Sequence, residues 1–307
     1  MSKIDFITRL TDQHEERIIA TLKNLEDKII AQLQKSLGGA PTLTTQLAIE
    51  LRPALKTLIE QTYLKEATLL VSEYDEIVKQ YQALIKPLPL PANFKSLTKA
   101  NLTTINNLKF LSFSGFEEVA NRFLNVIADN VYQSAVTGKP FNAMVKEIRG
   151  AINGVYQSSN ENAVNRLVDY VAKNRYSNNK SILDKVAIAK TQLNGKYANT
   201  ILGENMRKYA SQIAHDSIMQ FDGQYTKYKA NEAGITSFKY TGTAIATTRD
   251  FCNRHQSRVF TEEEARTLWS SRWKGKSGSD PFVNRGGYRC RHSFIPYDPE
   301  WENLLED

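Results

Sequence analysis

Apolar residues recur along the first third of the chain at helical spacing. Ile18, Leu22, Leu25, Ile29 and Leu33 follow at intervals of four, three, four and four, which lays a single apolar stripe along one helix face. Gly38-Gly39-Ala40-Pro41 ends the pattern, because glycine tolerates the left-handed cap and proline cannot extend a helix. A second helix is expected from about Thr44 to Ile85. Leu55, Ile59, Tyr63, Leu70, Tyr74, Ile77 and Tyr81 face one way, and Pro53 is expected to kink its early part. The two form a helical hairpin over 1–86, packed on its own core or, in a second reading, against another subunit as in a coiled coil.

Lys86-Pro87-Leu88-Pro89-Leu90-Pro91 then favours an extended path, and 87–94 is expected to be a linker between sub-domains. From 95 to 233 the pattern is again helical, broken at Gly138-Lys139-Pro140 and at Ser177-Asn178-Asn179. After Gly234 the character changes. Ile235-Thr236-Ser237-Phe238-Lys239-Tyr240 is β-branched and aromatic and reads as a strand, and Thr261-Glu262-Glu263-Glu264 opens a short capped helix. Gly275 to Gly287 reads as loop. The fold class expected is mainly α, a long helical N-terminal region followed by a small α+β module over 234–307.

Charge sharpens this division. Residues 1–90 carry 11 basic and 12 acidic side chains, and residues 91–230 carry 18 and 10. Residues 231–307 balance at 11 and 11, but ten of the basic ones lie between Arg249 and Arg291, and Asp298–Asp307 holds five acids. A basic middle and a basic module suggest an anionic partner, DNA above all, although a lysine-rich solvated surface reads the same way. No apolar run is long enough for a membrane span, and the charged N-terminus excludes a secretory signal. Two cysteines alone make no disulfide framework, which fits synthesis in a reducing cytoplasm.

The two cysteines and two of the four histidines fall in two clusters, Cys252-Asn253-Arg254-His255 and Cys290-Arg291-His292. Zinc favours four nitrogen or sulfur ligands in a tetrahedron, and two such pairs brought together supply them. The one-residue spacer of the second pair is tight for a shared metal. The same cysteines read equally as small buried hydrophobes beside hydrogen-bonded histidines. A Cys/His nucleophile would need an orienting group, Asp250 or Asn284, and an oxyanion site that the sequence does not reveal. Lys274-Gly275-Lys276-Ser277 lacks the glycine of a phosphate-binding loop, because Ser270 stands there. His215-Asp216 reads as a helix-face pair. No catalytic constellation emerges, and the chain is read as a non-enzyme with no small-molecule substrate.

The module's basic residues alternate with aromatics: Arg254, Arg258, Arg272, Lys274, Lys276, Arg285, Arg289 and Arg291 among Phe251, Phe260, Trp269, Trp273 and Tyr288. Such a set suits nucleic-acid contact, or a compact core with arginines stacked on its rim. Trp269 and Phe260 are assigned to the core, and the arginines stay open.

From Tyr209 to Pro299 the order of features resembles the phage head-morphogenesis family named after the F protein of phage Mu. The matching residues are Glu232-Ala233-Gly234-Ile235, then Phe238-Lys239-Tyr240, then Thr248-Arg249-Asp250 with Cys252 and His255. Arg258-Val259-Phe260 follows, and Gly286-Gly287 leads to Cys290-Arg291-His292 with Pro296. The chain departs from the family in having His215-Asp216 where an Arg-Thr pair is usual, and Gly-Gly-Tyr where His-Pro precedes the final cluster. The resemblance implies a minor head protein of a tailed phage virion, made in the bacterial cytoplasm. Its partners would be the portal protein, other head proteins and packaged genomic DNA. The alternative is a zinc-stabilised nucleic-acid-binding module of regulatory type.

Overall fold

The computed structural model describes residues 3–90, 92–156, 166–167, 170, 174, 177, 179–194, 201–202, 205–242, 244 and 248–299. Most of the helical stretch expected between 157 and 178, and the acidic tail beyond 299, lie outside the described residues. The molecule is 74% helical, with a long N-terminal helical region and a small C-terminal module built on a three-stranded antiparallel sheet.

The apolar stripe beginning at Ile18 belongs to α1 (Lys3–Leu37), and all five of its residues are buried. The second expected helix starts at α2 (Thr45–Ile59), where the Thr44 side chain accepts a hydrogen bond from the Leu47 backbone N–H. It does not run unbroken to Ile85. A π-helical turn at Glu60–Leu64 inserts before α3 (Lys65–Ser72), and a break at Glu73 precedes α4 (Tyr74–Ile85). Pro53 sits inside α2, which continues past it to Ile59 before the π-turn.

After the short α5 (Ala92–Lys95) comes α6 (Lys99–Val136), opened by a reciprocal capping box between Thr98 and Asn101. Gly138 adopts a positive φ after it, and Pro140 caps α7 (Phe141–Asn153). β1 (Val155–Tyr156) pairs antiparallel with β2 (Ile201–Leu202), on either side of α8 (Lys180–Asn194). The last long helix is α9 (Met206–Glu232).

Helices on both sides of the Pro-rich 87–94 segment share one continuous apolar cluster, from Ile7 on α1 to Tyr225 on α9, and Leu88 and Phe94 of that segment are buried in it. α1 packs most extensively on α9, so the ends of the helical region meet.

The module holds β3 (Ser237–Gly242), α10 (Asp250–His255), β4 (Val259–Thr261), α11 (Glu262–Trp269), α12 (Pro281–Asn284) and β5 (His292–Pro296). Its sheet order is β4-β3-β5, with Phe238 opposite Phe260 and Gly242 opposite His292. Thr261 and Glu264 form the expected capping box on α11. A second apolar cluster, made by Phe238, Tyr240, Phe251, Phe260, Trp269, Phe282 and Phe294 with both cysteines, forms the module's core. The module docks where α12 crosses α9 at Gly223. Any Cβ at Gly223 would strike the Phe282 carbonyl, so glycine is what permits the approach.

Candidate metal centre

Both cysteine-bearing segments end in the module's core. α10 turns the Cys252 side chain inward, and the extended chain at 290–292 turns Cys290 and His292 inward while Arg289 and Arg291 point out. That alternation is why a one-residue spacer suffices: residues two apart on an extended chain share a face. The Cys252 and Cys290 sulfurs lie 3.8 Å apart, and Cys290 Sγ lies 3.8 Å from His292 Nδ1. The three side chains are buried, and their ligand atoms all lie within 4.8 Å of one another, close enough to hold a metal ion.

The surroundings are shaped around the sulfurs. The backbone N–H groups of Gly286 and His292 both donate to Cys290 Sγ, at 3.2 and 3.4 Å. A Cβ at Gly286 would collide with both sulfurs. That glycine is pinned from its other side, its carbonyl accepting from Trp273 Nε1 at 3.1 Å while Trp273 stacks on Phe251 at 3.9 Å. Arg285, Gly287 and Arg289 all adopt positive φ, so a strained loop wraps the cluster. The Tyr240 hydroxyl lies 3.3 Å from Cys252 Sγ and 3.7 Å from Cys290 Sγ, and its ring stacks on that of His292.

The electrostatics divide the two thiols. The hydrogen bond to Cys290, together with burial, pushes the Cys252 thiol up. Accepting that bond brings Cys290 well below the usual thiol range against its burial, helped by His292 and the Arg285 guanidinium. Burial pushes the Tyr240 hydroxyl up. Three buried nitrogens here have no hydrogen-bond partner: His292 Nε2, and Arg285 Nε and Nη1.

His255, expected as a ligand, is not brought to this cluster. α10 ends there, Ser257 takes a positive φ, and the His255 ring packs against Phe251 and Phe260 on the rim. Burial and then the neighbouring Arg258 and Arg254 charges lower its pKa. For the Cys/His nucleophile reading the two thiols differ: Cys252 is buried with its thiol raised, whereas Cys290 beside His292 is lowered, and the Asn284 side-chain oxygen accepts from the Asp280 backbone N–H.

The basic residues separate into two groups. Arg254, Arg258, Arg272 and Lys274 lie exposed. The others are engaged within the molecule. Lys276 donates to the carbonyls of Trp269 and Ser271 and lies over the Trp273 ring. Arg285 is 1% exposed. Arg289 pairs with Glu15 of α1 at 2.5 Å, and Arg291 pairs with Asp12 of α1 at 3.0 Å.

Those last two pairs form a polar seam that sequence reasoning missed. Glu15 also accepts from the Ser211 hydroxyl at 2.6 Å. The Asp216 carboxylate faces buried His215 at 3.0 Å and accepts from the Arg289 backbone N–H at 2.9 Å. Burial would raise Glu15, but the Arg289 charge and hydrogen bonds prevail and bring it to about 2. Burial lowers the pKa of His215. The only signal in the sequence was the pairing of Asp12 with Glu15 and of Arg289 with Arg291, each pair spaced to share a face. In comparison with known proteins, no family model, no curated protein and no solved structure matches this chain.

Proposed function

We propose that the chain is a minor head protein of a tailed phage, acting near the portal in head assembly and touching packaged DNA, with a zinc ion stapling its C-terminal module. The observation that carries this reading is the order of elements in the module. A helix ending just before Ala233-Gly234 leads to β3, then the short α10 bearing Cys252, then Val259-Phe260 into α11, then a loop and Cys290-Arg291-His292 entering β5. That is the order in which the phage Mu F-like resemblance places its features, and its two cysteine-bearing segments meet in one core.

Cys252, Cys290 and His292 would hold the zinc, which supplies a cross-link between α10 and the start of β5 rather than a reactive centre. DNA contact falls to the exposed Arg254, Arg258, Arg272 and Lys274. Among the described residues no helix is long and apolar enough to cross a membrane. Quantitative peptide mass spectrometry on particles of the source phage tests the reading, comparing DNA-filled with emptied heads. A few copies per particle are expected; complete absence from both would overturn it.

The exposed basic rim also suits a regulatory, zinc-stabilised nucleic-acid-binding module. Filter binding at rising salt separates the two. Sequence-selective binding favours the regulatory reading, and weak binding with a steep salt dependence favours the head protein.

A further inference from the structure

We infer that the phenolic oxygen of Tyr240 is the fourth ligand of the metal centre, closing it with Cys252, Cys290 and His292 around one zinc-like divalent cation. The inference rests on the zinc reading above and deepens it. Distances are its first support. For tetrahedral zinc, Zn–S near ~2.3 Å and Zn–O near ~2.0–2.2 Å set edges of roughly 3.8 Å between two sulfurs and roughly 3.5 Å between sulfur and oxygen. Here the sulfurs are 3.8 Å apart, and the Tyr240 oxygen stands 3.3 and 3.7 Å from them. These three atoms match one face of that tetrahedron. His292 supplies the remaining corner, 3.8 Å from Cys290 Sγ, its ring stacked on that of Tyr240 at 5.3 Å and 13°. Among the described residues no other histidine, cysteine or carboxylate joins the group.

Arg285 gives an independent reason. Its guanidinium is buried with two nitrogens unpartnered, and Cys290 acts on it more strongly than Asp216 or Asp222. Asp222 is taken by Lys3 at 2.6 Å, while Asp216 meets the His215 ring and the Arg289 N–H and keeps its charge. A buried cation is favoured by buried negative charge. A divalent cation with two thiolates and a neutral phenol sums to zero and adds nothing to what Asp216 gives Arg285. With a phenolate the cluster carries one negative charge, which favours the buried guanidinium. A site with four protein ligands has no open position, as befits a staple.

The experiment uses the full-length chain, stripped of metal and titrated with zinc and, separately, with cobalt(II). The wild type is expected to take one zinc with a tyrosinate absorption that saturates at one equivalent. Tyr240→Phe keeps the buried ring, and circular dichroism checks that it folds. It should lose the tyrosinate band and bind zinc at least about tenfold more weakly. Cobalt-loaded Tyr240→Phe should change its visible spectrum on adding imidazole, which the closed wild-type site should resist. A wild type that binds one zinc with no tyrosinate band, and a Tyr240→Phe chain of equal affinity, would overturn Tyr240 as a ligand and leave the zinc reading standing. A wild type that takes up no zinc overturns both.

Discussion

Gly286 sits directly against both cysteine sulfurs, its N–H bonded to Cys290 and its carbonyl to Trp273. Gly286→Ala drives a methyl group between the two sulfurs, and overpacking of this kind costs about 1–3 kcal/mol. The variant should melt lower than the wild type and retain no zinc after dialysis; retention of one zinc per chain would show that the loop relaxes around the methyl.

A second residue-scale prediction concerns pH. Glu15 ionises near 2 in the folded chain against an ordinary value of 4.5. Its contribution is therefore present above 4.5 and lost as pH falls towards 2. With Arg289 half exposed, that contribution is discounted to about 2 kcal/mol. His14 and His215 are both lowered by burial from 6.5, so each favours the folded state when neutral, and that stability is lost as pH falls below 6.5. Acid unfolding should thus begin below 6.5 and steepen below 4.5. Arg289→Ala should cost about 2 kcal/mol at neutral pH, and the gap from wild type should narrow as the solution is acidified towards pH ~2. Chemical denaturation across that range reads it; a gap independent of pH would show that Arg289 acts by packing alone.

Among elements, α6 and α9 are joined end to end by one polar knot. The Asn101 side chain closes the α6 capping box by accepting from the Thr98 backbone N–H, donates to Tyr228 and to Glu232, and accepts from Lys229, a lysine only 2% exposed that also pairs with Glu232 at 2.6 Å and lies over Phe94. Asn101→Ala opens the capping box, leaving Thr98 to cap alone, and takes a partner from buried Lys229, at roughly 2–3 kcal/mol. Urea unfolding measures this, and a loss under 0.5 kcal/mol, the size of an ordinary surface change, would show that water replaces the side chain.

Elements of this kind were legible where periodicity alone decides. The stripe from Ile18 to Leu33 named α1, and the β-branched run at 235–240 named β3. The π-turn at Glu60–Leu64 was not legible, because it leaves Tyr63 and Ala67 on the buried face that an unbroken helix would also give them. Pro53 lies inside α2 between buried Leu51 and Leu55, and the helix continues past it to Ile59. In the site, the cysteines and His292 were legible by residue type. Tyr240 was not, since an inward aromatic on a strand looks like core, and His255 was misplaced because sequence cannot tell which way a helix end turns.

At the scale of the molecule, the basic count of the module overstates what faces outward. Arg289 and Arg291, 274 and 279 residues away from their partners, spend their charge on α1, and Arg285 spends its own on the cluster. Removing residues 1–17 should therefore loosen the module as well as the helical core. Limited proteolysis should cut the truncated chain between α9 and β3, and a module as resistant as in the full chain would show that α9 alone anchors it.

The pairing of α1 with α9 and with the arginines of the last strand has a temporal side. α1 is made well before its largest partner, which begins only at Met206. At roughly 5–20 residues per second, about ten to thirty-five seconds separate the two. During that interval the stripe from Ile18 to Leu33 has only its nearer neighbours to cover it. The nascent chain is then a substrate for chaperones or for a neighbouring nascent copy, and the arrival of α9 is what ends that exposure.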